Sequence, residues 1–167
     1  FAESAAEEFV AKGANVVLGP GLNVHRVALG GRNAEYISGE DPVLGSKLAD
    51  PWIRGFQENG VIATAKHFVL NNQETHRGSY SARVSERTLK EVYMPPFEAA
   101  AMAGVGSAMC SYNRVNGTYA CENFRTLSML KSVLPGWVMS DWGATHSTSV
   151  VEGLDQDMPG WDSFFSP

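Results

Sequence analysis

Three apolar segments of the sequence each end in polar or aromatic side chains, which are Lys66 and His67, Met109 to Tyr112, and Asp141 with Trp142. A carboxylate such as Asp141 can attack the anomeric carbon of a sugar. The flat ring of Trp142 can cover the apolar face of the same sugar. The pair therefore indicates glycosidic chemistry, and the alternative is a helix-capping aspartate beside a core tryptophan.

Cationic and imidazole side chains supply candidate donors for sugar hydroxyls, namely Arg32, Lys66 and His67. Arg32 lies in a glycine-rich segment, where its planar fork could hold two adjacent hydroxyls. Each donor has a simpler alternative role. Lys66 could be a surface cation, His67 a structural histidine, and Arg32 half of an ion pair with Glu35 or Glu40.

A sugar-phosphate enzyme is a further alternative, because Lys66 and His67 also suit a phosphate. The glycines around Arg32 do not form the phosphate-binding pattern G-x-x-x-x-G-K-[ST], which argues against it. In the polar segment 71–77, Glu74 is expected to support Lys66 or Arg77 rather than to catalyse.

We expect neither a metal nor an organic cofactor. His25, His76 and His146 show no metal-binding spacing, and the two cysteines have no histidine partner at zinc spacing.

The composition excludes two classes of partner. Thirteen basic and eighteen acidic side chains give a net charge of -5 without a basic cluster, so nucleic-acid binding is not expected. No apolar run reaches the roughly 18–20 residues of a membrane span. With 44% hydrophobic residues, the chain has an ordinary globular composition and enough length for one domain with a core.

The two cysteines and a glycosylation triplet bear on the compartment. Cys110 and Cys121 lie eleven residues apart around a segment that reads as a loop, and they are either a disulfide in an oxidising compartment or two reduced thiols. Asn116-Gly117-Thr118 is an N-glycosylation sequon in the same segment. We expect a secreted or extracellular protein whose signal peptide is not within these residues.

Helical and strand patterns alternate along the chain. Helices are predicted at residues 2–12, 43–58, 86–104 with a disturbance at Pro95-Pro96, 123–133 and 147–152. Strands are predicted at residues 14–18, 61–67, 105–111 and 137–140, with a fifth candidate at 154–158. This order is typical of parallel βα units, whose carboxyl ends share one mouth. Four or five units are too few for a closed eight-unit barrel, so the chain is either a doubly wound sheet or a barrel slice.

Eight motifs in order resemble the N-terminal barrel domain of glycoside hydrolase family 3, in its β-glucosidase branch. They are residues 18–21 (LGPG), 31–33 (GRN), 39–42 (GEDP), 66–68 (KHF), 72–74 (NQE), 95–98 (PPFE), 109–117 (MCSYNRVNG) and 140–144 (SDWGA). The set covers nearly the whole chain. The resemblance implies an α/β fold in which residues 1–167 form part of a single TIM-type (β/α)8 catalytic barrel domain.

The resemblance also implies roles for individual residues. Asp141 matches the nucleophile of a retaining enzyme that forms a covalent glycosyl-enzyme intermediate. The matches in the sugar subsite are Arg32, Lys66 and His67 on the hydroxyls, with Met109, Tyr112 and Trp142 around them. Cys110 and Cys121 match a disulfide of secreted members. The acid/base glutamate of the family lies in a following domain outside this chain.

The implied reaction is hydrolysis of terminal, non-reducing β-D-glucosyl residues from glucosides or short oligosaccharides. A β-xylosidase, an exo-β-glucanase and a catalytically silent sugar-binding relative remain alternatives. The N-acetylglucosaminidase branch does not fit, because Phe68 is followed by Val69 rather than by that branch's proline-glycine-histidine run. Two positions depart from the family pattern: Ala34 replaces an aromatic residue, and Asn23 stands where an aspartate is frequent.

Overall fold

The computed structural model describes residues 1–161 and 163–165. The helices are α1 (Ala2–Ala11), α2 (Pro42–Gln57), α3 (Glu86–Thr88), α4 (Pro95–Met102) and α5 (Phe124–Lys131). The strands are β1 (Val16–Val17), β2 (Ile62–Phe68), β3 (Ser81–Ala82), β4 (Ser107–Cys110), β5 (Arg114–Val115), β6 (Thr118–Tyr119) and β7 (Trp137–Ser140). A π-helical turn, Leu89–Tyr93, joins α3 to α4, and 3-10 turns lie at Asn33–Glu35, Ala120–Glu122 and Ser163–Phe165.

The main sheet has four parallel strands in the order β1-β2-β4-β7. Phe68, Cys110 and Ser140 are aligned across β2, β4 and β7, so these strands end at one edge. The strands follow one another in chain order without the reversal that defines a doubly wound sheet. The sheet is therefore one arc of a barrel.

Helices cover the sheet and bury its apolar face. Ile53 and Phe56 of α2 and Phe97 of α4 are almost fully buried, and Phe97 meets Phe68 of β2 edge to face with ring centroids 5.1 Å apart. Burying such a side chain contributes about 1.5–3 kcal/mol each. This packing fixes β2, which carries Lys66 and His67.

Three helices start at side-chain caps. Asp41 accepts a hydrogen bond from the Val43 amide at 2.8 Å, and Ser85 accepts one from Thr88 at 3.1 Å. Asn123 caps α5 by accepting from the Thr126 amide at 3.2 Å. Each cap satisfies an amide that the helix leaves free.

The segment between the cysteines is more ordered than the predicted loop. β5 and β6 form an antiparallel hairpin whose turn is Asn116-Gly117, and β3 joins it to complete a small three-stranded sheet. A disulfide links Cys110 at the end of β4 to Cys121 behind the hairpin. The hairpin is thereby attached to the edge of the main sheet where β4 ends.

Two predicted elements near the end of the described chain are wrong. Residues 147–152 form turns rather than a helix, with Val150 and Val151 exposed and Gly153 at φ +117°. Residues 154–158 make one isolated parallel bridge, Met139 to Gln156, instead of a strand. The side chain of Asp155 accepts the Val138 amide at 2.7 Å, and so replaces a backbone partner there.

The long helix predicted over residues 86–104 is interrupted, as its two prolines suggested. It is divided into α3, the π-helical turn and α4, and α4 starts at Pro95. Proline suits the first turn of a helix because its missing amide hydrogen has no partner there. The predicted strand and helix bounds are otherwise correct to within a few residues.

Candidate active site

A pocket of about 420 Å³ opens at the carboxyl ends of the main strands. Its walls are formed by Leu18, Arg32, Lys66, His67, Arg77, Met109, Tyr112, Asp141 and Trp142. All seven residues that the sequence singled out for sugar chemistry are among them. Leu18 and Arg77 are the members that the sequence did not assign to the pocket.

Asp141 follows β7 directly and is 8% exposed. Its Oδ1 accepts hydrogen bonds from the Tyr112 hydroxyl at 3.0 Å and from the Trp142 amide at 2.9 Å. Its Oδ2 is buried, accepts no hydrogen bond and lies 3.4 Å from His67 Nε2. No helix starts at Asp141, because residues 142 and 143 form a turn, so the helix-cap alternative does not apply.

His67 is buried within a polar cage. Its Nδ1 lies 2.9 Å from the Tyr36 hydroxyl, its Nε2 lies 3.4 Å from Arg32 Nη2, and its backbone amide donates to Asn23 Oδ1 at 2.9 Å. Burial, followed by the charges of Lys66 and Arg32, lowers the pKa of His67 to about 3. The imidazole is therefore uncharged, and its approach to Asp141 is a contact rather than an ion pair.

Glu35 contacts two of the cations that line the pocket, Arg32 and Lys66. Its carboxylate accepts from Arg32 Nε at 2.8 Å and Arg32 Nη2 at 3.0 Å, and Lys66 Nζ lies 2.6 Å from its Oε1. Burial would raise the pKa of Glu35, but the hydrogen bonds from Arg32 and Lys66 lower it to about 2. Burial would likewise lower the pKa of Arg32, and the Glu35 hydrogen bond and charge raise it.

Arg32 pairs with Glu35 and also lines the pocket, so the predicted ion pair is confirmed and the hydroxyl-binding role stays a prediction. The 3-10 turn Asn33–Glu35 brings Glu35 back over Arg32, three residues apart. Gly31 precedes this turn at φ +95°, a backbone conformation that residues with a side chain rarely adopt. The Asn33 amide bonds the carbonyls of Val27 and Ala28, which holds the preceding loop in place.

Tyr112 is held from two sides. Its hydroxyl bonds Asp141, and the guanidinium of Arg77 lies over its ring, 4.1 Å from the centroid. Burial, followed by the charge of Asp141, raises the pKa of Tyr112 to about 12, so the phenol keeps its proton and donates. Glu74 accepts from Arg77 Nη1 at 2.7 Å, which confirms the expected support of Arg77; Lys66 pairs with Glu35 instead.

The remaining predicted pocket residues differ in exposure. Met109 on β4 is 2% exposed and forms part of the floor, whereas Trp142 is 40% exposed at the rim, so it is not a core tryptophan. Asn23, where an aspartate is frequent in the resembled family, is buried. Its amide donates to the Asn71 carbonyl at 2.8 Å, and its oxygen accepts the His67 amide, so a neutral side chain completes both bonds.

The sequon asparagine lies outside the pocket. Asn116 is exposed at the β5–β6 turn with φ 51°, and its side-chain amide exchanges hydrogen bonds with the backbone of Val84 at 2.9 and 3.0 Å. The side chain therefore ties the hairpin to the segment before α3.

The described part of the chain contains neither a helix that could span a membrane nor a cluster that could bind a metal. Over residues 1–161 and 163–165, no helix combines the length and apolar character needed to cross a bilayer. Within the same residues, no three His, Cys, Asp or Glu side chains are grouped in a way that could hold a metal ion.

Comparison with protein families gives one match over most of the chain. Residues 1–158 match the glycosyl hydrolase family 3 N-terminal domain. The chain is 49% identical over 155 residues to a β-glucosidase of Rhizobium radiobacter, covering 89% of this chain and 19% of that protein. It is 47% identical over 165 residues to β-glucosidase B of Emericella nidulans, covering 95% of this chain and 19% of that protein.

Solved structures agree with these sequence relatives. The fold superposes on DesR, a β-glucosidase from Streptomyces venezuelae in complex with D-glucose, with a TM-score of 0.89 and 45% identity over 94% of this chain and 21% of that one. It superposes on a β-D-glucoside glucohydrolase from Trichoderma reesei with a TM-score of 0.92 and 44% identity over 97% and 24%. The chain thus spans about a fifth of the length of the relatives it matches.

Proposed function

Because this chain belongs to glycoside hydrolase family 3 and is a segment of its N-terminal domain, we propose that it carries the nucleophile of a retaining β-glucosidase. The observation that best supports this proposal is the position of Asp141. It lies at the end of β7 in a pocket lined by side chains of the types that bind sugars. In this proposal residues 1–167 are part of one catalytic barrel domain, and a second domain outside the chain supplies the acid/base.

In the first step Asp141 attacks the anomeric carbon of a terminal β-D-glucosyl residue, and the bond to the leaving oxygen breaks. An acid from the second domain protonates that oxygen as it departs. The product of this step is a covalent glycosyl-enzyme intermediate. The Tyr112 and Trp142 donors on Oδ1 hold the carboxylate in a fixed orientation during the attack.

In the second step the same acid/base group activates a water, which displaces Asp141 and regenerates the carboxylate with net retention of configuration. Arg32, Lys66 and neutral His67 bind sugar hydroxyls in both steps. Because Glu35 already holds Arg32 and Lys66, their donor groups keep fixed positions without substrate, which reduces the ordering cost of binding. No metal or organic cofactor takes part.

The proposed substrates are β-linked glucosides and short oligosaccharides, in carbohydrate metabolism and polysaccharide degradation. This choice draws on relatives that are named β-glucosidases and on a related structure that contains D-glucose. A β-xylosidase or an exo-β-glucanase of the same family is the second candidate. Rates of hydrolysis of 4-nitrophenyl β-D-glucoside and β-D-xyloside distinguish a β-glucosidase from a β-xylosidase, and the glucoside is expected to react faster.

Azide rescue of the full-length protein tests the role of Asp141. Asp141→Ala is expected to lose nearly all hydrolysis of an activated glucoside and to regain turnover in azide with α-glucosyl azide as product, because azide then enters from the face that Asp141 vacates. Asp50→Asn, which alters an exposed ion pair on α2, serves as the matched control and should keep normal activity. Full activity in Asp141→Ala would exclude the proposed nucleophile.

A silent sugar-binding relative is distinguished by the same samples. It would bind glucose without turnover in the unmodified full-length protein. We favour the enzyme because Asp141 has its two hydrogen-bond donors in place, an arrangement that binding of a neutral sugar does not require.

We also propose a secreted, glycosylated protein. The Cys110–Cys121 disulfide suits an oxidising compartment, and the sequon lies at an exposed hairpin turn. Peptide mass mapping of the protein isolated from its native source tests this proposal. A glycan on Asn116, removable by an amidase that leaves aspartate, is expected together with a Cys110–Cys121 cross-linked peptide; an unmodified Asn116 peptide with free thiols would contradict it.

A further inference from the structure

We propose that Arg77 is a positioning residue for the nucleophile, acting on Asp141 through the ring of Tyr112. The inference rests on the proposed function, because it concerns the same carboxylate. Arg77 lines the pocket, but the sequence did not assign it to sugar binding, and this inference gives it a role.

The contacts form a continuous series of three side chains. The guanidinium carbon of Arg77 lies 4.1 Å above the Tyr112 ring, and the Tyr112 hydroxyl donates to Asp141 Oδ1 at 3.0 Å. A guanidinium over an aromatic face at this distance is attractive. Because the ring is planar, a cation stacked on its face opposes rotation about the Cα–Cβ and Cβ–ring bonds.

The Tyr112 ring is the part of this segment that needs such a restraint. The neighbouring residues are fixed, since the Ser111 hydroxyl and the Asn113 amide both donate to the Val69 carbonyl at 3.1 Å. The ring itself is only partly buried and leaves β4 toward the pocket. Without Arg77, the hydroxyl would lose a fixed direction although its backbone stays in place.

Arg77 is itself held by the loop that carries it. Glu74 accepts from Arg77 Nη1 at 2.7 Å, and the Glu74 amide donates to the Gly30 carbonyl at 2.9 Å. The Glu74 carboxylate also lies 3.8 Å from Arg32 Nη1. The orientation of Tyr112 is therefore coupled to the turn that presents Arg32, so the hydroxyl-binding side and the nucleophile side of the pocket share one support.

A double-mutant cycle in the full-length protein tests the inference. The variants are Arg77→Met, Tyr112→Phe and their combination, and the readout is the second-order rate constant for inactivation by a 2-fluoro-glucoside with a good leaving group. Each single change is expected to lower that rate about tenfold, since each removes or misdirects a hydrogen bond to a charged group that takes part in the attack. The combination is expected to lose little more than either single variant, because both remove the same Tyr112–Asp141 bond.

Multiplying losses, about a hundredfold in the double variant, would overturn the inference and indicate that Arg77 acts on the sugar directly. An unchanged rate in Arg77→Met would overturn it as well. Arg83→Met, on an exposed arginine outside the pocket lining, is the matched control and should react normally. If Arg77→Met does not reach the unfolding midpoint of the parent, Arg77→Gln replaces it in the same cycle.

The proposed function fails independently of this inference. A folded, unmodified full-length protein that is not labelled at Asp141 would contradict the nucleophile assignment before any variant is compared. Labelling at Asp141 with independent effects of Arg77 and Tyr112 would contradict only the positioning role.

Discussion

At the scale of single residues, Arg32 and Lys66 are paired with Glu35 rather than with Asp141. Glu35 neutralises much of the charge of Arg32 and Lys66, while burial and those same cations keep His67 uncharged. Asp141 therefore faces a neutral imidazole, the Tyr112 phenol and the Trp142 backbone amide rather than an unpaired cation. In the proposed mechanism, this arrangement leaves the cations available to bind hydroxyls without forming an ion pair that would cover the proposed nucleophile.

Removing the Glu35 carboxylate should disturb both cations. Glu35→Gln leaves Arg32 and Lys66 close together without a shared anion, so they repel each other and lose their fixed positions. We expect kcat/KM on an aryl glucoside to fall about tenfold, the low end for a charged hydrogen bond because Glu35 is partly exposed. Glu40→Gln, on an exposed glutamate of the same loop, is the control, and equal rates in both variants would contradict the role of Glu35.

The protonation state of His67 gives a prediction with a definite sign. A pKa of about 3 lies below the ordinary value of 6.5, so the imidazole stays neutral from pH 8 down to pH 5. NMR of protein labelled with ¹³C-histidine, with His67→Gln identifying the resonance, should show no titration of His67 over that range. A midpoint between pH 6 and 7 would show that His67 becomes charged near neutral pH and would contradict this prediction.

At the scale of elements, the site depends on where strands end and how closely they approach. Lys66, Met109 and Met139 are aligned across β2, β4 and β7, so a shift of one residue in either pairing would move pocket side chains to the other face of the sheet. The start of β7 lies so close to β4 that a Cβ atom on Gly136 would lie 1.7 Å from the Gly106 carbonyl oxygen.

Gly136→Ala should therefore separate β4 from β7 and displace Asp141. We expect the free energy of unfolding to fall by about 1–3 kcal/mol or more, the range for overpacking, with loss of activity. Gly78→Ala is the matched control, because a Cβ atom there meets no atom within 4 Å. Unfolding midpoints of the two variants should differ clearly, and equal midpoints would contradict the close approach of the strands.

The sequence predicted those elements whose signals are local. The sequence predicts the helices at 43–58 and 123–133 and the strand at 137–140 because each follows a residue-type rule within a few positions. The sequence does not predict the small sheet, because its strands are two residues long, too short for any alternation, and β3 pairs with β5 across about thirty residues. The helix predicted over residues 147–152 is wrong because periodicity alone does not show that Val150 and Val151 are exposed.

The candidate site shows the same division. Motif resemblance identified the seven pocket residues that the structure brings together. It did not select Glu35 over Glu40 as the partner of Arg32, nor place Arg77 on Tyr112. Those choices depend on the 3-10 turn at Asn33–Glu35 and on packing between separate loops, which spacing along the chain does not encode.

At the scale of the whole molecule, the chain is an arc of a barrel rather than a closed one. Its four parallel strands place Asp141 and the other pocket residues at their carboxyl ends. The relatives it matches are about five times longer. We therefore propose that the remaining domains of the full-length protein complete the pocket and contribute the acid/base carboxylate.

Covalent trapping tests the central proposal, that Asp141 is the nucleophile, most directly. The full-length protein is treated with a 2-fluoro-glucoside that carries a good leaving group, which needs little acid assistance, and the digested product is analysed by mass spectrometry. We predict a stable fluoroglucosyl adduct on the peptide containing Asp141 and none in Asp141→Ala. A folded protein that binds glucose but gains no adduct, or that carries the adduct on another residue, would contradict the account.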